Sequence, residues 1–310
     1  MQPELATSGV ESLIDVVIPT RNRPEKLKRC LTALAAARDT YLPTVYVVDS
    51  STSDENRKAV DEVCGEFSFA QLHRHSRDGL AAARNECTRA GSAPLVVSVD
   101  DDVYVTPSAI DRLVSRYCQG KRWRIVAGSV AWGEQWSGPV VTRPIGYGTA
   151  GDEESADFYV TALILYPREL VRQFAFNESI PSSDDRFAGA LWRSKGVRLL
   201  WEPDARAHHD DEHNVGLTTP YHQRAHIYVN LFDGLFVRRS LRWALSVEVL
   251  GFLAGARLYM RSRSTALAYL QAWTAGHVAL LKDWRLLRSA ASQPVLGSPP
   301  ECSDRLQRAG

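Results

Sequence analysis

The chain predicts an α/β protein, a doubly wound and mostly parallel sheet followed by a helical C-terminal extension. Three observations carry that expectation. Strand and helix patterns alternate through the first hundred residues, which calls for right-handed crossovers onto one sheet. The apolar run from Leu95 to Val99 reads as a strand buried on both faces, and it ends in three consecutive carboxylates, Asp100, Asp101 and Asp102. From about Tyr221 to Leu287 the pattern is helical throughout.

The elements follow in order. Ile14 to Pro19 is a short strand, and the polar turn Thr20-Arg21-Asn22-Arg23 leads to Pro24, a residue suited to a first helical position. Leu27, Cys30, Leu31 and Leu34 mark the buried face of a helix that runs to about Arg38. Val45 to Val48 is the second strand, closed by Asp49 to Ser53, a loop rich in capping residues. Asp54 to Cys64 is a helix, Ala70 to His73 a weak strand and Leu80 to Ala90 another helix, before the strand that ends in the acids.

After residue 105 the rhythm changes. Pro107 to Cys118 reads as a helix, and Arg124 to Trp132 and Phe158 to Leu165 as strands. The Gly- and Pro-containing connection Gly133 to Asp157 is long enough to suggest a function of its own. Asp184 and Asp185 open a helical stretch with Phe187, Leu191 and Trp192, and Val197 to Trp201 is a further strand. A polar cluster from His208 to His213 follows, and the Pro-containing tail from Gln293 is expected to fray. The expected organisation is one unit over 1–219, with halves 14–105 and 106–219, a helical extension over 220–290 and a tail over 291–310.

Composition narrows the function. Of the 310 residues 45% are hydrophobic and 24% charged, ordinary for a globular protein with a sizeable core. A net charge of +1 gives no reason to expect a nucleic acid partner. Cys30, Cys64, Cys87, Cys118 and Cys302 are odd in number and share no CxxC spacing, so they are expected as free thiols in a reducing compartment. The first residues carry neither a basic segment nor an apolar one, so the expectation is a cytoplasmic protein. Ser264 to Leu281 is uncharged but too polar for a good membrane span, and Trp243 to Met260 is broken by Glu248 and Arg257. With Arg238, Arg239, Arg242, Arg261 and Arg263 nearby, residues 238–287 read as amphipathic helices that pack on the α/β unit or lie on the inner face of a membrane.

The acid triplet is the main functional signal. Open α/β sheets bind ligands outside the carboxyl ends of their strands. Three crowded carboxylates there repel one another, and a hard divalent ion relieves the conflict while gripping a diphosphate on its other side. The plainer alternative is an acidic junction that caps the next helix.

Asp15-Val16-Val17-Ile18-Pro19-Thr20-Arg21-Asn22, Val47-Val48-Asp49-Ser50-Ser51, Ala82-Ala83-Arg84-Asn85 and Asp100-Asp101-Asp102 occur in that order. Together they resemble the ordered blocks of family-two glycosyltransferases, inverting enzymes with the GT-A nucleotide-diphospho-sugar fold and its DXD acids. The resemblance covers the first 105 residues well and continues more loosely to about residue 213. It implies a Rossmann-like nucleotide-binding half, an acceptor half, and transfer of a sugar from a nucleoside diphosphate donor to an acceptor hydroxyl. It places Pro19, Thr20, Arg21, Asn22, Arg23, Asp49, Ser50 and Arg84 at the donor. Asp100 or Asp101 would serve the ribose and sugar, and Asp102, with Asp100, the cation, Mg or Mn. The family usually has another acid or amide after the second-strand aspartate, where this chain has Ser50, which leaves the base open.

Asp184-Asp185 stands where the family typically has Glu-Asp at a helix start, and Asp185 is the expected general base, with Asp184 beside it. His208 or His209 follows a strand end where related enzymes often place a histidine near the metal or diphosphate. Alternatively, His209 and His213 are spaced for one helix face and a separate zinc site, or belong to a solvated loop. The acceptor stays open among a glycan, a lipid-linked saccharide, a peptide and a small metabolite. A nucleotidyltransferase is a competing enzyme reading, but its usual Gly-rich first loop is missing from Thr20 to Pro24. A non-catalytic nucleotide-sugar-binding protein of the same fold is the competing non-enzyme reading.

Overall fold

The computed structural model describes residues 13–37, 44–143, 148–180, 182–210, 220–259 and 262–302. The chain opens as β1 (Ile14–Thr20), α1 (Pro24–Ala36), β2 (Val45–Asp49), α2 (Asp54–Gly65), β3 (Ala70–Arg74), α3 (Leu80–Cys87) and β4 (Leu95–Val99). It continues with β5 (Val103–Val105), α4 (Ala109–Cys118), β6 (Arg124–Trp132), β7 (Gln135–Trp136), β8 (Val140–Thr142) and β9 (Gly148–Ala150). Then come β10 (Leu163–Pro167), α5 (Arg168–Gln173), α6 (Asp184–Ser194) and β11 (Arg198–His209). The last third is α7 (Pro220–Phe232), a π-helical turn (Asp233–Val237), α8 (Leu241–Tyr259) and α9 (Arg263–Ser292).

Among the described residues the main sheet runs β3-β2-β1-β4-β10-β6-β11-β5, with β7 on β6. The first four strands of that order are parallel, β10 is antiparallel to both β4 and β6, and β11 is parallel to β6. Successive strand residues face opposite ways, so Val16 and Ile18 join the core under α1, α2 and α4. Val17 joins the core under α3, α5, α6 and α7 on the other face. The sheet is covered on both sides, which is why β1 and β4 are buried along their whole length and mostly apolar.

Several elements fall where the sequence puts them. The buried face of α1 is Leu27, Cys30, Leu31 and Leu34 behind Pro24. Ser53 caps α2, its hydroxyl accepting from the Asn56 amide at 3.2 Å. α6 starts at Asp184.

Others differ. The strand expected from Phe158 begins only at Leu163, while Phe158 makes a single bridge to Val140. Asp157 explains the detour: its carboxylate accepts from the Thr142 amide at 2.7 Å and pairs with Arg193 at 3.2 Å and Arg238 at 2.6 Å, tying the segment to α6 and the π turn. Gly189 of α6 allows this, because a Cβ there would lie 2.6 Å from the Phe158 Cβ. The connection between β6 and β10 carries its own small hairpin, β8–β9.

The strand expected to stop at Trp201 continues as β11 to His209, with a register shift between Trp201 and Arg206. The expected free state of all five cysteines is corrected. Cys118 and Cys302 form a disulfide, with Cα atoms 5.5 Å apart, while Cys30, Cys64 and Cys87 are free and buried. The tail therefore does not fray from Gln293. It folds back so that Leu296 exchanges backbone bonds with the Gln173 side chain before reaching α4, and an inference of a reducing compartment from unpaired thiols loses that support. No helix among the described residues is long and apolar enough to cross a membrane.

Candidate active site

The parallel strands β1, β2 and β4 end together, and their tips carry the first set of polar side chains. Thr20, at the end of β1, donates its hydroxyl to Asp101 at 2.7 Å. Asn22 adopts a left-handed φ of 56° and reaches across to the second turn, accepting from the Thr52 amide at 2.9 Å. Its own amide donates to the Ser51 hydroxyl at 2.9 Å, and the Ser50 amide donates to the Thr20 carbonyl at 3.0 Å. The two strand-end turns are thus laced together. Pro19 pairs with Val48 inside the sheet, and Arg21 lies at the surface in an ion pair with Asp78 at 2.8 Å.

Asp49 is buried at the end of β2. One oxygen accepts from the amide and hydroxyl of Ser51 at 2.9 and 2.6 Å, and the other pairs with the Arg74 guanidinium. A nucleotide base that reads this carboxylate must share it with Arg74 or displace it.

The acid triplet divides its labour by direction. Asp100 points toward α3, where Arg84 grips both of its oxygens at 3.0 Å. Burial, followed by repulsion from Asp102 and Asp184 against the attraction of Arg84, holds the Asp100 carboxyl above its ordinary value. Asp101 faces Thr20 and Arg23, and burial pushes it up to about 6 against the Thr20 hydrogen bond, which pulls the other way. Asp102 meets Arg23 at 2.9 Å, Lys26 at 3.6 Å and His209 at 3.4 Å.

β11 delivers that histidine. The strand pairs with β5 so that His209 lies opposite Val103, and the Asp210 amide donates to the Asp102 carbonyl at 2.9 Å. Side chains alternate along a strand, so the two adjacent histidines part company. His209 turns to Asp102 and stacks on Trp132 with centroids 5.1 Å apart. His208 is exposed and packs against Trp136 at 5.3 Å. His213 lies outside the described residues, and with it the zinc alternative.

The second set of carboxylates stands at the start of α6. Ser183 has a left-handed φ of 61° and swings the chain into the helix, burying Asp184. Arg84, only 4% exposed, lies between this helix and the triplet and pairs through its other nitrogen with Asp184. One guanidinium therefore bridges Asp100 and Asp184 and fixes the two acid sets in one crevice. Asp185 is half-buried, accepts from the Arg186 amide at 2.7 Å and makes no ion pair with any described residue. Burial, then repulsion from Asp184, raises it to about 6. Such a carboxylate can take a proton near neutral pH.

The arrangement also contains residues the sequence did not single out. Lys26 lies on the first turn of α1, one helical turn beyond Arg23, and sits between Asp102 and Asp210, which Arg29 grips at 2.8 and 2.9 Å. The i, i+3 and i+6 spacing of Arg23, Lys26 and Arg29 was the available signal. Behind α6, Arg186 contacts the ring of His226 and donates to Asn230 at 2.5 Å. His222 meets the Ser182 hydroxyl at 2.7 Å.

Among the described residues no group of three or more His, Cys, Asp and Glu side chains is arranged to hold a metal. Asp102 and His209 converge as two donors, while the Asp100 oxygens are occupied by Arg84. That donor set suits a cation shared with a substrate diphosphate, as Mg-type ions commonly are, and does not make a closed protein cage.

The sequence profile described as glycosyl transferase family 2 matches residues 15–172, just over half of the chain. A curated relative, the pre-mycofactocin glycosyltransferase of Mycobacterium tuberculosis, is 26% identical over 209 residues, covering 64% of this chain and 42% of the relative. The chain thus spans less than half the length of the curated relatives it matches. Among solved structures, S. aureus TarS in complex with UDP-GlcNAc aligns with a TM-score of 0.59 at 14% identity, covering 90% of this chain and 89% of that one. The mannosyltransferase PcManGT from Pyrobaculum calidifontis, in complex with GDP-Man and Mn2+, aligns with a TM-score of 0.54 at 19% identity, covering 90% and 84%. GalNAc-T7 with UDP, GalNAc and Mn2+ aligns with a TM-score of 0.58 at 13% identity, covering 79% and 55%. At these identities the likeness shows a shared fold.

Proposed function

The chain belongs to glycosyl transferase family 2, and we propose that it transfers a sugar from a nucleoside diphosphate donor to an acceptor hydroxyl with inversion, using Asp185 as general base. The observation that carries this reading is the Arg84 bridge. It holds a donor-side acid and an acceptor-side acid on one guanidinium, and the neighbouring Asp185 makes no ion pair with any described residue.

The roles follow from the positions. The turn Thr20 to Arg23 and the loop at Asp49 and Ser50 receive the nucleotide, with Pro19 fixing the end of the strand beneath it. Asp100 and Asp101 lie toward the ribose and sugar. Arg23 and Lys26, both within ion-pair distance of Asp102, offer positive charge where the diphosphate departs. A divalent cation, Mg or Mn, would be held by Asp102 and His209 and would neutralise charge on the leaving diphosphate. Asp185 accepts the acceptor hydroxyl proton as that oxygen attacks the anomeric carbon from the face opposite the diphosphate, and Asp184 stays pinned by Arg84. The base must be ionised to act, so catalysis switches on as pH rises through about 6. The nucleotidyltransferase alternative falls with the family assignment.

The test is a thermal-shift panel of UDP, GDP, dTDP and CDP with and without Mn, on wild type and Asp102→Ala. A shift by one nucleotide that needs Mn and is lost in the variant supports the donor site and names its base. No shift with any nucleotide in either protein would sink it. Donor hydrolysis or transfer by the wild type separates an enzyme from a binding protein of the same fold.

A further inference from the structure

The helices α8 and α9 form a hairpin, with Phe252 packed on Tyr269 and Trp273 and the Glu248 carboxylate on His277 at 2.7 Å. Its outer surface is built backwards for a helix facing water. α8 buries Ala244 and Val247 on its inner side and turns Leu241, Leu245, Val249, Leu250 and Leu253 outward, each between 43% and 66% exposed. On α9, Leu267, Leu270, Val278 and Leu281 are likewise exposed. A row of this length is unlike scattered surface leucines, which need no explanation.

The exposed charges on the hairpin have one sign. Between residues 241 and 292 there are seven Lys and Arg but only two acids, Glu248 and Asp283. Both acids are spent inward, Glu248 on His277 and Asp283 accepting from the Tyr228 hydroxyl at 2.8 Å. Arg242 and Arg257 stay exposed near the two ends of the α8 apolar row, with Arg263, Lys282, Arg285 and Arg288 exposed on α9. An isologous contact with a second copy would set these cations against one another, without exposed acids to answer them. Leucines flanked by arginines instead match a layer that is apolar inside and anionic at its surface.

We propose that the outer face of the α8–α9 hairpin seats on an anionic lipid surface, with the leucines of α8 entering the acyl boundary and Arg242 and Arg257 reaching the headgroup phosphates. The attachment is peripheral, since no described helix is long and apolar enough to span. It holds whatever sugar the crevice transfers, because none of these side chains belongs to that site.

The experiment is co-sedimentation of the full chain with phosphatidylcholine vesicles containing about one third phosphatidylglycerol, and with phosphatidylcholine alone. Wild type should bind the anionic vesicles, weakly or not at all the neutral ones, and more weakly as salt rises. Leu245→Glu with Leu253→Glu should cost about tenfold or more in affinity. Arg242→Gln with Arg257→Gln should cost about tenfold and flatten the salt dependence, a readout independent of how the leucine variant folds. Leu296→Glu, exposed in the tail, should bind as wild type does. Failure of wild type to bind anionic vesicles overturns the proposal, as does wild-type binding by both double variants. A wild-type dimer in light scattering that the leucine variant dissolves, with no vesicle binding, would assign the face to a second copy.

Discussion

Two carboxylate clusters share one crevice, and they differ in what neutralises them. At the tip of β4 every acid has a partner: Asp100 has Arg84, Asp101 has Thr20 and Arg23, and Asp102 has Arg23, Lys26 and His209. At the start of α6, among the described residues, Asp184 is paired through the same Arg84 while Asp185 makes no ion pair and accepts from a backbone amide. A carboxylate gripped by a guanidinium is a weak base and a good fixture, while one raised by burial and a neighbouring acid is available for protons. Burial raises Asp101 to about 6 as it does Asp185, so ion pairing is what sets the clusters apart. In the proposed mechanism positioning falls to the paired acids and proton transfer to Asp185.

If that division is right, Asp185→Asn lowers turnover by about a thousandfold while donor affinity, measured by calorimetry, stays within about twofold of wild type. Retention of full turnover would move the base elsewhere. Arg84→Met should be the most damaging change to folding, since it leaves the buried Asp184 and the half-buried Asp100 without their cation. Urea denaturation should show a loss of about 3–5 kcal/mol, partly restored by adding Asp184→Asn.

Asp101 and Asp185 are both raised to about 6, so the activity profile and the variants, not the titration range, separate the two clusters. On the acid limb kcat/KM should fall about tenfold per pH unit below about 6 as Asp185 takes up its proton. The stability of the ligand-free protein should move the other way. Asp101 and Asp185 both bind protons more tightly folded than unfolded. Their contribution is full below the ordinary carboxylate value of 3.8 and is lost as pH rises through about 6. Thermal scans from acid to neutral pH should record that loss, less steeply in Asp185→Asn. Within the β11 pair, His209→Ala should weaken Mn-dependent nucleotide binding by about tenfold, and His208→Ala by less than about twofold. Equal effects would mean the strand alternation does not govern the site.

Much of the architecture was legible because its signals are local. The alternation of apolar runs and helical faces over the first hundred residues is enough to call for a doubly wound sheet, and Asp100 to Asp102 at a strand end and Asp184-Asp185 at a helix start are visible as strings. The extent of β11 was not legible, because Glu202, Pro203 and Asp204 read as a stop, whereas a shift of register carries the strand past them. Nor was the start of β10, where the pairing of Asp157 with Arg193 and Arg238, residues far away in the chain, overrides an apolar pattern.

Sequence order alone was sufficient for the fold class, the crevice at the strand tips and the residue types gathered there, since periodicity and strand-end placement depend on neighbours along the chain. Which histidine faces Asp102, which of two adjacent aspartates is spent on Arg84, that Asp49 already holds Arg74, and that Cys118 meets Cys302 across 184 residues of separation came from packing. Each depends on the direction of a side chain and on partners brought close by the whole fold, and a linear string carries neither.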